Sequence, residues 1–398
     1  MGDLIESIEN SKCEAGEFLS GLIGISSKSG EESGAALWLE KKFDDLGFET
    51  KRITLSDDIK DDPLYCRAGG NVEYDGRFNL AINVRGTGNS RVAVNTHIDT
   101  VPIGQNPKTA ELRGGLVYGR GACDAKGQIA AIFQLLSALK HSGQTLKRSL
   151  TIHLVVEEEV GGNGSLGLRI KPGEFDAALV LEPTSLRVLT AARGAVWFDI
   201  TVSGVSGHSG SASGVSNAIL DAMQVVEKLK TYHAGLLHRL KGNPPFESFP
   251  NPMPLTIGMF NAGDWPATVP SKANIKGVCG FLPGMTAEAV KQEITGLLSP
   301  GHQQGEPIVD FIFSRDAFVT PRDSELLRLM GSAYARTGAA MELGAFPACC
   351  DGWFYASRGI PTLIMGAGNL EQAHSDNEYV ALDQIDSLAQ ILGAFLMQ

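Results

Sequence analysis

The sequence predicts an α/β fold carrying a smaller α+β insertion. Three observations lead there. Toward both ends of the chain, apolar runs bounded by turn residues alternate with helical patterns, the arrangement of strands and the helices that cover them. Between about Gly194 and Arg315 the texture changes to alternating strands divided by Pro and Gly. At 398 residues the chain exceeds what one core usually organises, so two domains are expected, each able to bury its own core. The changes in texture set one domain at 1–193 and 316–398 and the inserted one at 194–315.

The elements follow in order. "ESGAALWLEKKFDDLGFE" has apolar residues at Ala36, Leu37, Leu39, Phe43 and Leu46, and Gly47 ends it as a C-cap. "RVAVNTH" reads as a strand. After "GRGACD", the run "AKGQIAAIFQLLSALKHSG" forms an apolar helix face through Ile129, Ile132, Phe133, Leu135, Leu136 and Leu139. "SLTIHLVV", "AALVL" and "PTLIM" are further strands. In the insertion, "GAVWFDITVSG" alternates like a half-buried strand and "VSNAILDAMQVVEKLKTY" is helical; "PLTIGMF", "ANIKGVCGFLPG" and "IVDFIFS" add strands. No internal repeat or low-complexity segment interrupts the pattern.

Composition narrows the function. A net charge of -11 argues against nucleic acid or an anionic membrane surface as partner. No apolar run approaches the roughly 18–20 residues of a membrane span, and "MGDLIESIENSKCEAGEF" lacks the basic and apolar regions of a signal peptide. Six cysteines without a C-x2-C pair fit a reduced, cytoplasmic enzyme acting on a small molecule.

The stretch "TIHLVVEEEVGGNG" places Glu157, Glu158 and Glu159 side by side at a strand end, where like charges need water or a positive partner. In open α/β sheets, functional groups gather beyond the carboxyl ends of strands. Reading past each strand gives His97 and Asp99, then the Glu run, Glu182 and His374, with Asp124 where a loop enters a helix. Two imidazoles among several carboxylates suit divalent metal ions, two of them if a carboxylate is shared at about 3.5–4 Å separation. His153, in mid-strand, reads as a core residue, and Cys123 as small-residue packing.

The segments "NTHIDTVP", "GRGACDAKG", "EEEVGGNG", "LEPTS", "GHSGSASGVSNAI" and "AHSDNEYV" span nearly the whole chain. In that order they resemble the acetylornithine deacetylase and succinyl-diaminopimelate desuccinylase family, with its aminoacylase, glutamate carboxypeptidase and carnosine-dipeptidase relatives. The resemblance implies a zinc-peptidase-like catalytic domain with a central mixed sheet and an inserted lid that makes a homodimer. It implies two divalent ions per chain, Zn first and Mn or Co next. His97 and Glu182 would bind one ion, Glu159 and His374 the other, and Asp124 both. Glu158 would be the general base, Asp99 would orient His97, and His208 would steady the oxyanion in the partner's site. Glu157 aligns with the family's Asp or simply solvates the strand end; a shift of one residue would exchange the roles within the run. A cis peptide is expected after Asp124.

The expected reaction is hydrolysis of an amide C–N bond, in an N-acyl amino acid or a dipeptide. Here the sequence departs from the family. Val278, Cys279 and Gly280 stand where a carboxylate-gripping Arg is common, Thr268 replaces an Asn, and Trp353 replaces a second Arg. Arg193, Lys272 or Lys276 would then hold a carboxylate; alternatively, the substrate is a less anionic, aromatic amide stacked on Trp353. "GNGSLG" also fits the dinucleotide-binding pattern G-x-G-x-x-G, but the Glu run beside it would repel a pyrophosphate. A metal-free binding module is disfavoured by the five intact ligand positions.

Overall fold

The computed structural model describes residues 2–70, 72–104, 110–210, 214–240, 242, 244–299 and 306–398. Its large sheet runs in the order Thr50–Thr54, Phe78–Val84, Ser149–Val155, Arg91–His97, Ala177–Leu181, Thr362–Met365, Val188–Ala192 and Phe318–Val319, with Leu343–Phe346 also paired to Val188–Ala192. Strands Ser149–Val155, Arg91–His97, Ala177–Leu181 and Thr362–Met365 are mutually parallel, while the outer pairs are antiparallel except for Leu343–Phe346, which runs parallel to Val188–Ala192, so the sheet is mixed. The parallel strands therefore discharge their following residues at one edge, which is where His97, the Glu run and Glu182 emerge.

Helix Gly127–Ser142 is buried from Gly127 to Leu139, more completely than a one-faced apolar stripe predicts. It lies between the sheet and helices Gly2–Asn10, Lys12–Ile23 and Leu382–Leu396. Among its polar residues, Gln134 Nε2 donates to the Ile8 carbonyl at 2.8 Å and to Asp386 Oδ1 at 2.7 Å. Helix Ser33–Leu46 buries Ala35, Ala36, Leu39 and Phe43, but Leu37 faces outward at 46% exposed.

A second, antiparallel sheet is ordered Leu255–Ala262, Lys272–Phe281, Gly194–Ser203 and Ile308–Arg315. Helices Ala218–Arg239 and Ala287–Leu298 cover it through a separate apolar cluster that includes Phe198, Ile200, Val225, Leu229, Ile275 and Ile294. Where the chain enters this sheet, a side chain on Gly194 would lie 2.4 Å from the Phe281 ring, so only glycine fits. Arg67, from the first unit, pairs with Asp310 of the edge strand at 2.6 Å, and its N–H donates to the Ile312 carbonyl. This contact ties the two units beside the cavity described below. Among the described residues no helix is long and apolar enough to cross a membrane.

Candidate metal centre

His97 ends its strand with Nε2 3.0 Å from Asp124 Oδ1. The other oxygen of Asp124 lies 3.3 Å from His374 Nε2, and Glu159 Oε2 lies 3.2 Å from the same nitrogen. Glu182, directly after strand Ala177–Leu181, is buried beside them. His97, Asp124 and Glu182 each offer a ligand atom within 4.8 Å of one another, and so do Asp124, Glu159 and His374. Asp124 is thus common to both triads. The Asp124–Ala125 peptide is cis.

The electrostatics suit cations. Burial, followed by the charges of Glu182 and Asp351, lifts the Glu158 carboxyl well above its usual range. Burial lifts Glu182 and Glu159 in the same direction. Burial opposes charging of His97, yet Asp124 and Asp99 hold it protonated. Hydrogen bonds to Asp124 and Glu159 push His374 up to about 10. Dications bound among these groups would displace protons from them. Glu159 Oε1 is buried without a partner. A set of imidazole and carboxylate donors with an orphaned oxygen fits borderline divalent ions.

One assignment needs correction and another is extended. Glu157 does not solvate the strand end: it is fully buried, with φ at +58°, and pairs with the Arg77 guanidinium. Tyr74 Oη donates to its other oxygen at 2.8 Å, and Arg77 also forks onto Glu32 at 2.8 Å. The run is therefore split, with Glu157 turned inward to Arg77 and Glu159 meeting His374. Asp99 does more than orient an imidazole. It is the Asp99 backbone carbonyl that contacts His97 Nδ1, at 2.9 Å, whereas the carboxylate lies 3.5 Å away. That carboxylate instead accepts the N–H groups of Glu158 and Glu159 at 3.0 and 3.1 Å and the Ser29 hydroxyl at 2.7 Å. Asp99 is a positioning residue for the Glu158–Glu159 turn.

Sequence reading missed a second brace. Glu378 accepts the N–H groups of Gly121, Cys123 and Asp124 at 3.0, 3.1 and 3.2 Å and is paired with Arg120 at 2.7 Å. One carboxylate thereby fixes the loop that presents Asp124. The only sequence signal was its place in "AHSDNEYV". His153 is a buried residue contacting Tyr355 Oη at 2.8 Å. Gly164 serves packing, since a Cβ there would sit 2.0 Å from the Val156 carbonyl.

A cavity of about 360 Å³ opens beside the centre, between the two sheets; Glu158, Glu159 and His374 line it together with Arg193, Trp197, Phe313, Arg315, Asp351 and Phe354. Of the expected substrate contacts, Arg193 is there, and Val278 and Gly280 lie in the wall. Lys276 is committed to Asp199 at 2.8 Å, and Cys279 is buried in the second apolar cluster. Trp353 is not in the cavity wall: it packs against Phe354, and its ring meets the Arg315 guanidinium 5.3 Å from the centroid. His208 and Thr268 face each other in a short ladder of Gly207–His208 with Thr268–Val269, and neither lines the cavity. Residues 211–213 of the motif that carries His208 lie outside the described residues.

Known proteins share this arrangement of chain. The acetylornithine deacetylase of Proteus mirabilis (strain HI4320) is 27% identical over 341 residues, covering 81% of this chain and 83% of its own. The crystal structure of a tripeptidase from Staphylococcus aureus superposes with a TM-score of 0.77 at 18% identity, over 97% of this chain and 98% of that one. The Bacillus subtilis YXEP protein, a dinuclear metal binding peptidase, superposes with a TM-score of 0.69 at 14% identity, over 98% of both chains. The profile of peptidase family M20/M25/M40 matches residues 93–398, most of the chain, and the protein belongs to that family.

Proposed function

We propose that this enzyme hydrolyses the amide C–N bond of an N-acyl amino acid or a dipeptide at a centre of two divalent ions. His97, Asp124 and Glu182 would hold one ion and Asp124, Glu159 and His374 the other, Zn ahead of Mn and Co. The observation that carries the reading is a single carboxylate, Asp124, shared by two triads that adjoin a cavity lined by Glu158. Bound there, the ions supply Lewis-acid polarisation and bring the pKa of water from 15.7 towards about 7.

Glu158 carries the proton. Its carboxylate accepts a proton from the attacking water as the oxygen adds to the carbonyl carbon, and returns it to the amine nitrogen as the C–N bond breaks. An enclosed carboxyl with a raised pKa suits both halves of that task. Asp99 keeps Glu158 in place through the backbone.

We assign residues 1–193 and 316–398 to the catalytic domain and 194–315 to a lid, supported by their separate apolar clusters. The protein is read as a cytoplasmic homodimer. Leu220 and Met223 on helix Ala218–Arg239, with Met259 and Phe260 on edge strand Leu255–Ala262, expose apolar surface that a second lid would cover. His208, exposed and away from this chain's cavity, would serve the partner's oxyanion. The less anionic substrate loses its premise, because two arginines line the cavity.

The test is mass-spectrometric turnover by Zn- or Mn-loaded protein, comparing N-acyl amino acids and dipeptides with matched amides lacking the α-carboxylate. Preferred cleavage of the carboxylates supports the reading; preference for the neutral set overturns its substrate, and cleavage of neither overturns the activity.

A further inference from the structure

Arg315 ends strand Ile308–Arg315, is 3% exposed and lines the cavity. Two of its groups are occupied: Nη1 donates to the Ser314 carbonyl at 2.8 Å and Nη2 to the Gly161 carbonyl at 3.1 Å. Its Nε is buried with no partner. The rings of Phe313, Phe354 and Trp353 surround the guanidinium, with centroids at 4.9, 4.9 and 5.3 Å. Among the described residues no carboxylate lies within 4.0 Å of it.

That is an unusual position for a charge. A guanidinium keeps its proton, so burial must be offset by a counter-ion, and here the near contacts are aromatic faces, with the charges of Asp351 and Asp62 acting from beyond ion-pair distance. Those faces fix the plane of the fork, and the side chain has five donors, of which the backbone takes only two. A planar fork with spare donors, held rigidly in an apolar cavity, is built to receive a carboxylate. Arg193 lines the same cavity, is occupied only by the Pro252 carbonyl at 2.7 Å, and likewise has no carboxylate partner among the described residues. The departures noted in the sequence now have a physical account: Trp353, standing where relatives often carry Arg, supports an arginine that enters from another strand.

We propose that Arg315, held flat by Phe313, Trp353 and Phe354 and assisted by Arg193, anchors the carboxylate of the substrate and sets the enzyme's preference for acids over neutral amides. This rests on the hydrolase reading above, and the test separates the two. Wild type, Arg315→Lys and Arg315→Met are compared on N-acetylphenylalanine and N-acetylphenylalaninamide, with metal content and thermal stability measured alongside. Wild type is expected to favour the acid. Loss of a charge-assisted hydrogen-bond pair should raise KM for the acid about 10- to 100-fold in Arg315→Met, while kcat/KM for the carboxamide changes less than about threefold. Arg315→Lys keeps the charge but not the fork and should fall between; it decides the matter if the Met variant does not fold. Equal losses on both substrates, or an unchanged KM for the acid, would overturn the proposal. If wild type cleaves neither compound, the hydrolase reading fails, and the anchor is judged by calorimetric binding of N-acetylphenylalanine. Tighter binding to wild type than to Arg315→Lys supports it, and equal binding overturns it.

Discussion

Replacing Arg77 with Met removes the cation that pairs with two fully buried carboxylates, Glu32 and Glu157, while nearly preserving volume. Removing one partner of a buried ion pair costs about 3–5 kcal/mol, because the remaining charge is stranded. The cost depends on pH. Burial, ahead of the charge of Asp99, already raises Glu32 from 4.5 to about 7 against the opposing pull of Arg77. A raised carboxyl pKa means that the native state binds the extra proton, so this group favours folding below its unfolded value and loses that contribution as pH rises through about 7. Without Arg77 the window for Glu32 moves upward. The variant should therefore be about 3–5 kcal/mol less stable than wild type at pH 8. At pH 5, where the Glu32 carboxyl can be neutral, the deficit should be smaller than at pH 8, with a floor at the roughly 1 kcal/mol lost with the guanidinium over the Tyr74 ring, 5.2 Å from its centroid. Urea unfolding of metal-free protein from pH 5 to 8 measures this. A deficit below about 1 kcal/mol at pH 8, or one that does not vary with pH, would refute the claim that Arg77 neutralises the inward member of the Glu run.

Other outcomes follow from the same geometry. Glu378→Gln can no longer accept all of the N–H groups around Asp124, so metal affinity should fall about 10- to 100-fold in a chelator-competition titration; an unchanged affinity would remove Glu378 as a brace. His153 is held neutral by burial, its pKa lowered from 6.5 to about 4. The unfolded chain therefore takes up a proton that the native state refuses, and stability falls as pH drops from about 6.5 to about 4, by roughly 3 kcal/mol from this group. His153→Phe should lose that component of acid sensitivity; an identical pH slope in denaturant titrations would contradict it.

The residues of the two candidate triads were legible because most of them follow strands whose apolar runs are short and cleanly bounded. His97 and Glu182 are each fixed by counting to the end of a strand, and helix Gly127–Ser142 announces the loop of Asp124. The resemblance also anticipated the cis Asp124–Ala125 peptide. Partners distant in sequence were not legible. Arg77 and Glu157 are 80 residues apart, and Glu378 is 254 residues from Asp124, so no local pattern joins them. Arg315 stood in the sequence only as the boundary of the insertion, and nothing local indicated that Trp353 would face it. Lys276 likewise lay at a suitable place in the sequence but is paired with Asp199 across the sheet.

The central claim separates two adjacent residues, with Glu158 moving a proton and Glu159 holding an ion. Metal content by elemental mass spectrometry and turnover of an N-acyl amino acid should be measured together for Glu158→Gln and Glu159→Gln. The account predicts that Glu158→Gln keeps both ions and loses about 10²- to 10⁴-fold in kcat, the usual range for general acid–base catalysis, whereas Glu159→Gln loses one ion. Turnover by Glu158→Gln within about tenfold of wild type, with both ions retained, would contradict it.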